Sequence, residues 1–254
     1  MINFNAVYVL WLREMKRFVR AKSRIIGMLA MPLLFLSFMG MGFSGMSIPG
    51  MGGGVSYINF LVPGIIGMGM LFTSMFAGIS VLWDREFGFL KEIMIAPVSR
   101  VSIVLGRIAG GATTAMIQGI LILSISMVIG FGIPSFASFI MAAVFMLLIA
   151  TAFIGLGLIF ASKMRDMQGF NLIMNFVIFP LFFLSGALFP IDNLPGFIKV
   201  VSYIDPLTYG IDGLRASLIG ASTFSMIFDL VVLLGISVTM VALGAYFFEK
   251  SESV

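Results

Sequence analysis

Residues 25–83 form a run of 59 residues without a single Asp, Glu, Lys or Arg. One helical span of a bilayer takes about 20 apolar residues, so the run predicts two spans and a connection. The connection falls at GFSGMSIPGMGGGVS, residues 42–56, where Gly and Pro interrupt any helix. The rest of the chain follows the same pattern. Of its 254 residues, 60% are hydrophobic and 10% charged, against about 25% charged in soluble domains. The mean hydropathy is +1.15. A second uncharged run, residues 108–162, breaks at GFGIPSF and holds two more spans; residues 167–191 and 230–248 hold one each. The expected fold class is an all-α polytopic membrane protein with six transmembrane helices.

Basic residues orient these spans, because Lys and Arg collect on the cytoplasmic side. Segment 1–24 carries Arg13, Lys16, Arg17, Arg20, Lys22 and Arg24, and segment 83–107 carries Arg85, Lys91, Arg100 and Arg107. Lys163, Arg165 and Lys250 fall on the same side, which then holds 13 of the 15 basic residues. The other side has Lys199 and Arg215. An even number of spans with this bias places both termini in the cytoplasm of a cell-membrane protein. The basic residues follow an apolar stretch too short to span, with no small-residue cleavage site before the first span, so the N-terminus does not read as a cleavable signal. Within it Phe4, Tyr8, Trp11, Met15 and Phe18 recur at steps of four and three and share one helical face. That pattern predicts a helix lying among lipid headgroups, each basic residue contributing about 1 kcal/mol near anionic lipid.

The chemistry available is narrow. There is no Cys and no His, which excludes disulfides, thiolate catalysis and the commonest base and metal ligand. No metal site and no catalytic residue is expected. Span interiors show few ionisable groups: Asp229 falls at the outer edge of the last span and Asp166 at the inner edge of the fifth. That argues against a proton-coupled carrier or ion channel. Gln118, Asn171 and Asn175 are the main strongly polar side chains within spans. Asn171 and Asn175, four apart on one face, are candidate pathway-lining residues, although such pairs more often join helices through hydrogen bonds. No GxxxxGK[ST] motif is present. The GRIAG at residues 106–110 is a small-xxx-small match and a weak sign of helix contact. The 21 methionines suit an adaptable apolar surface or ordinary lipid-facing filler, the latter being the commoner case.

Two segments stand out from the spans. DREFGFLKEIMIAPVSR, residues 84–100, has length for about three helical turns before Pro97. Phe87, Leu90 and Met94 fall on one face, and Phe89, Ile93 and Ala96 on another. Asp84, Arg85, Glu86, Lys91 and Glu92 supply both signs of charge. The pattern alone fits a helix that docks a soluble partner as well as one lying flat on lipid. Ser99 or Ser102 can cap the third span. The second segment follows span five. Asp192 or Asn193 can cap a short helix reaching about Tyr203, and Asp205 followed by Pro206 starts another. Two short amphipathic pieces on the outer side are expected, dipping back toward an outer gate.

Those two segments carry a family resemblance. DREFGFLKEIMIAPVSR and FFLSGALFPIDNLPGFIKVVSYIDPLTYGIDGLR, residues 182–215, resemble the membrane subunits of type-2 ATP-binding cassette exporters, the ABC-2 permeases of drugs, polysaccharides and nodulation factors. With the basic N-terminal helix and six spans, the resemblance covers the whole chain. It implies a coupling helix at residues 84–97 that contacts an ATPase through Asp84, Arg85, Glu86, Phe87, Phe89, Leu90, Lys91, Glu92, Ile93, Ala96 and Pro97. Within that set, the resemblance together with helix geometry implies Glu86, Lys91 and Glu92 as polar contacts and Phe89, Leu90 and Ile93 as apolar anchors. It also implies re-entrant outer helices with Pro190, Asp192, Pro195, Tyr203, Asp205, Pro206, Tyr209, Asp212 and Arg215 near a gate.

The organisation expected is one domain. It runs through an interfacial helix (1–24), spans one and two (25–82), a coupling helix (83–98), spans three and four (99–162), span five (163–190), a re-entrant segment (191–222) and span six (223–249). The function expected is outward export of a lipophilic or lipid-linked substrate, without enzymatic chemistry in this chain. No fused nucleotide-binding domain is visible, so separate ABC ATPase subunits would hold ATP and Mg. The other expected partners are a second permease copy, in a homodimer, and membrane lipids, with no nucleic acid. The rival reading is a non-transporting membrane scaffold that docks a soluble partner through the same helix.

Overall fold

The computed structural model describes residues 3–43, 47–48, 55–88 and 98–251. These hold ten α-helices: α1 (Phe4–Arg20), α2 (Lys22–Gly42), α3 (Tyr57–Ala77), α4 (Ile79–Glu86), α5 (Arg100–Val128), α6 (Phe136–Lys163), α7 (Met167–Leu184), α8 (Gly196–Ser202), α9 (Pro206–Ile219) and α10 (Met226–Ser251). A two-residue antiparallel ladder pairs Ser47 with Ser56 and Ile48 with Val55 in the link between α2 and α3. Six helical stretches are long and apolar enough to cross a membrane: α2, α3 with α4, α5, α6, α7 and α10. This matches the six spans and the all-α class predicted from the uncharged runs.

Local chemistry sets where the helices begin. A helix start leaves four N–H groups without partners, and a side-chain oxygen can take one or two. Asn3 does so for α1, Ser99 for α5, Ser135 for α6, Asp166 for α7 and Asp205 for α9. Inside the spans, hydroxyls return to the backbone of the preceding turn: Ser126 to Ile122 O, Ser162 to Leu158 O, Thr239 to Gly235 O. Each of these hydroxyls is thereby satisfied within its own helix.

α3 is the central element. Phe60, Ile65, Ile66, Met68 and Met70 are fully buried, as are Phe145, Ile149 and Phe153 of α6. In lipid the hydrophobic effect does not drive helices together; close packing and hydrogen bonds do. The α1–α5 seam illustrates this. A Cβ on Gly106 would lie 2.7 Å from Leu10 Cβ, and one on Gly110 would lie 2.8 Å from Glu14 Cβ. The GRIAG match thus marks a real contact. α2, α7 and α10 are peripheral, and between the charged ends of α2 and α10 their outer faces are largely apolar, with Phe38, Phe176 and Ile227 largely exposed.

Several expectations are corrected. Span five ends at Leu184, short of residue 191, because the chain turns at Gly186, whose φ is +74°. Asp192 and Asn193 cap no helix: they lie in a single 3-10 turn, α8 begins after Pro195, and Asp192 instead pairs with Lys199 at 2.6 Å. α9 is not an amphipathic surface piece. Residues 207–215 are buried throughout, and its polar side chains, Thr208, Asp212, Arg215 and Ser217, are buried with the rest. The N-terminal stripe divides: Phe4 and Tyr8 are exposed, Phe18 is buried, and Trp11 Nε1 donates to Thr113 Oγ1 at 3.0 Å. α1 is seated on α5 along its length.

Candidate functional site

The helix expected at residues 84–97 does not begin at Asp84. Asp84, Arg85 and Glu86 form the last turn of α4, which continues α3; Phe87 ends it, and Gly88 turns the chain with φ +77°. Phe89, Leu90, Lys91, Glu92, Ile93, Ala96 and Pro97 lie outside the described residues. Glu86 and Phe87 are exposed, whereas Asp84 points inward and is buried.

Asp84 is the hub of an ion network. Arg107 Nη2 of α5 donates to Asp84 Oδ2 at 2.7 Å, and Arg13 Nη2 of α1 donates to Oδ1 at 2.5 Å. Arg107 also donates to Ser80 Oγ at 3.3 Å and lies over the Phe248 ring of α10 at 5.8 Å. Arg17 covers the Trp83 ring at 5.1 Å. Around the same end, Arg85 Nη1 reaches Met164 O at 3.0 Å and Arg100 Nη1 reaches Glu249 O at 2.9 Å. The turn preceding residues 89–97 is therefore tied to α1, α5 and the α6–α7 link, and α5 in turn to α10. Sequence reasoning treated Arg13 and Arg107 as orientation charges and Asp84 as a docking residue. The available signal was one acid and one base of opposite sign at the facing ends of two uncharged runs.

The other end of the bundle is built around α9. Arg215 is fully buried; its Nη2 donates to Gly186 O at 2.6 Å and Ala187 O at 3.2 Å, Nε reaches Phe60 O at 3.4 Å, and the guanidinium lies 3.7 Å from the Phe60 ring centre. A cation is held there by carbonyl dipoles and a ring face rather than by a carboxylate. Asp205 caps α9 through Leu207 N at 2.9 Å, with Pro206 in the first helical position. Burial pushes the Asp205 carboxyl up to about 8, against the lowering effect of that bond. Tyr209 donates to Tyr203 O at 2.6 Å and packs on Phe224 and Phe228. Asp205 lines one pocket with Phe176 and Leu184 of α7. Gly213 admits the Phe145 ring of α6, where any Cβ would collide. Pro190 and Pro195 flank the 3-10 turn without entering this core.

A cleft of about 360 Å³ opens between α2 and α3, lined by Met28, Met31, Met68, Phe72 and Phe76. At its back Gln118 accepts from Thr73 Oγ1 and donates to Met28 O at 2.7 Å, so this polar residue joins three spans. Asn171 is half-buried and Asn175 exposed on α7; neither hydrogen-bonds to another described residue. The structure does not bring them together with Gln118 or with the α9 residues.

The sequence profile of the ABC-2 type transporter family matches residues 5–219. The chain is 29% identical to the inner membrane transport permease YadH of Escherichia coli K12, over 87% of this chain and 86% of that protein. It is 33% identical to nodulation protein J of Rhizobium meliloti, over 79% and 76%. It is 29% identical to the putative transport permease ycf38 of Cyanophora paradoxa, over 63% and 56%.

Proposed function

The chain belongs to the ABC-2 type transporter family, and on that premise we propose that it is the membrane half of an exporter driven by separate ATPase subunits. It is a multi-pass transport permease. In the mechanism we put forward, ATP and Mg bind only the partner ATPases, and closure of those subunits pushes residues 89–97. The push reaches Asp84 through one helical turn and one glycine hinge, and Arg13 and Arg107 pass it to α1 and α5. A lipophilic or lipid-linked substrate is released outward past α9. The permease needs no catalytic residue, because it converts a displacement into altered access.

The observation that carries this reading is Asp84: a buried acid one turn before the docking segment, bound to two other helices. Glu86 and Phe87, exposed beside it, would make the first ATPase contacts. A second copy would cover part of the apolar face where α2 meets α7, with Phe35 against Phe182, leaving Asn171 and Asn175 at its pathway side. Lys16, Arg20 and Lys22 remain exposed for lipid headgroups. Both termini would then lie in the cytoplasm, and the α8–α9 turn would dip into the membrane from outside. The test is charge reversal at Glu86 in the reconstituted complex. Glu86→Lys is expected to weaken assembly and substrate-stimulated ATP hydrolysis; an unchanged complex with unchanged coupling would contradict the proposal.

A further inference from the structure

Asp229, in the first turn of α10, is fully buried, and neither of its carboxyl oxygens meets a donor. The group within hydrogen-bonding reach is the carboxyl of Asp212 on α9. Asp212 is also buried and already accepts from the backbone: Thr223 N lies 2.9 Å from both its oxygens and Phe224 N lies 2.8 Å from Oδ2. Both Asp212 oxygens are thus already held by backbone N–H groups. The nearby cation, Arg215, donates instead to Gly186 O, Ala187 O and Phe60 O.

The remaining groups offer no compensation. On α9 and its cap, Asp205 is another acid and Tyr209 gives its proton to Tyr203 O. On α8, Lys199 is engaged with Asp192 at the surface. On α3, Tyr57 donates toward Leu188 O. Lys163 of α6, and Glu249 and Lys250 of α10, sit at the opposite ends of their helices. α7 contains no titratable residue.

Two ionised carboxylates in contact in a buried site repel, and neither has a hydrogen to offer the other. A single proton settles both problems, giving Asp229 an O–H that Asp212 accepts. The dipole at the start of α10 favours an anion at Asp229, but that is a small effect beside a like charge in contact. A metal ion fits poorly, since the Asp212 oxygens are committed to backbone N–H groups. Among the described residues no third acidic side chain completes a metal-binding group.

We propose that Asp212 and Asp229 hold one proton between them, and that this proton-binding site fastens α9 to α10 at the end of the bundle opposite Asp84. Loss of the proton sets the two acids against each other and loosens the turn at residues 220–225. The corner is then sensitive to pH on its own side of the membrane, whatever drives transport at the other.

The test is infrared spectroscopy of the purified full chain near neutral pH, in the Asp205→Asn background so that Asp205 does not contribute. The expected result is a protonated carboxylic-acid carbonyl band that shifts in deuterated water and disappears in Asp229→Asn. That variant supplies an amide hydrogen in place of the proton, so it is expected to fold and to lose part of the fall in melting temperature toward alkaline pH. A band unchanged by Asp229→Asn would overturn the proposal. So would failure of that variant to fold, or sodium-dependent stabilisation of the parent chain with no acid band, which would indicate a cation site.

Discussion

Arg107 and Asp84 meet inside the bundle with Nη2 2.7 Å from Oδ2, both side chains about 5% exposed or less, 23 residues apart in sequence. The same carboxyl holds Arg13 through its other oxygen at 2.5 Å. One acid thus joins the N-terminal helix, the end of the second span and the third span.

Breaking that pair leaves a buried charge without its partner, which costs about 3–5 kcal/mol. Arg107→Met and Asp84→Leu are each expected to destabilise by that order, and the double variant by much less than their sum. Arg13 is 35% exposed and solvent-screened, so Arg13→Met is expected to cost about 1 kcal/mol or less. A double-mutant cycle on thermal unfolding in detergent checks this; additive effects of Arg107→Met and Asp84→Leu would contradict it.

The α1–α5 seam depends on two missing side chains. Gly106→Leu places carbon where Leu10 already stands and is expected to cost about 1–3 kcal/mol by overpacking. Leu10→Ala in the same chain should recover part of the loss. Melting temperatures of the single and double variants report it.

Asp205 makes stability depend on pH. The folded chain holds its proton up to about 8, against 3.8 when unfolded. The contribution is therefore full below the unfolded value and is lost as pH rises through about 8. Asn caps a helix as well as Asp does and does not titrate. Asp205→Asn should keep α9 and flatten the decline of melting temperature between about pH 5 and about pH 8; an unchanged slope would contradict the assignment.

Arg215 serves three carbonyls at once through a planar fork. A lysine cannot reach all of them. Arg215→Lys is expected to cost about 2 kcal/mol, the order of one or two charge-assisted hydrogen bonds, measured by thermal unfolding.

The six spans were legible because lipid imposes them: uncharged runs, Gly and Pro breaks, and basic flanks each have one physical cause. The caps at Ser99 and Asp205 were legible for the same reason, since side-chain chemistry and backbone need coincide locally. The ion network was not legible. Asp84, Arg13 and Arg107 meet only once α1 lies along α5, and nothing in the sequence distances fixes that. The burial of α9 was hidden too, because Asp212 and Arg215 resemble surface charges until Gly213 is seen to admit Phe145. Asp229 looked like a residue at the edge of a span, and it is at the edge in sequence; the α9 insertion is what buries it.

The most direct test of the permease reading is affinity purification of this chain from its native membrane in mild detergent, with mass spectrometry of what accompanies it. Recovery of a soluble protein carrying GxxxxGK[ST], lost when Phe89 and Ile93 are both changed to Glu, is the predicted result. Recovery of the paired membrane subunits with no such ATPase would contradict it and favour a scaffold whose residues 84–100 lie on the lipid surface.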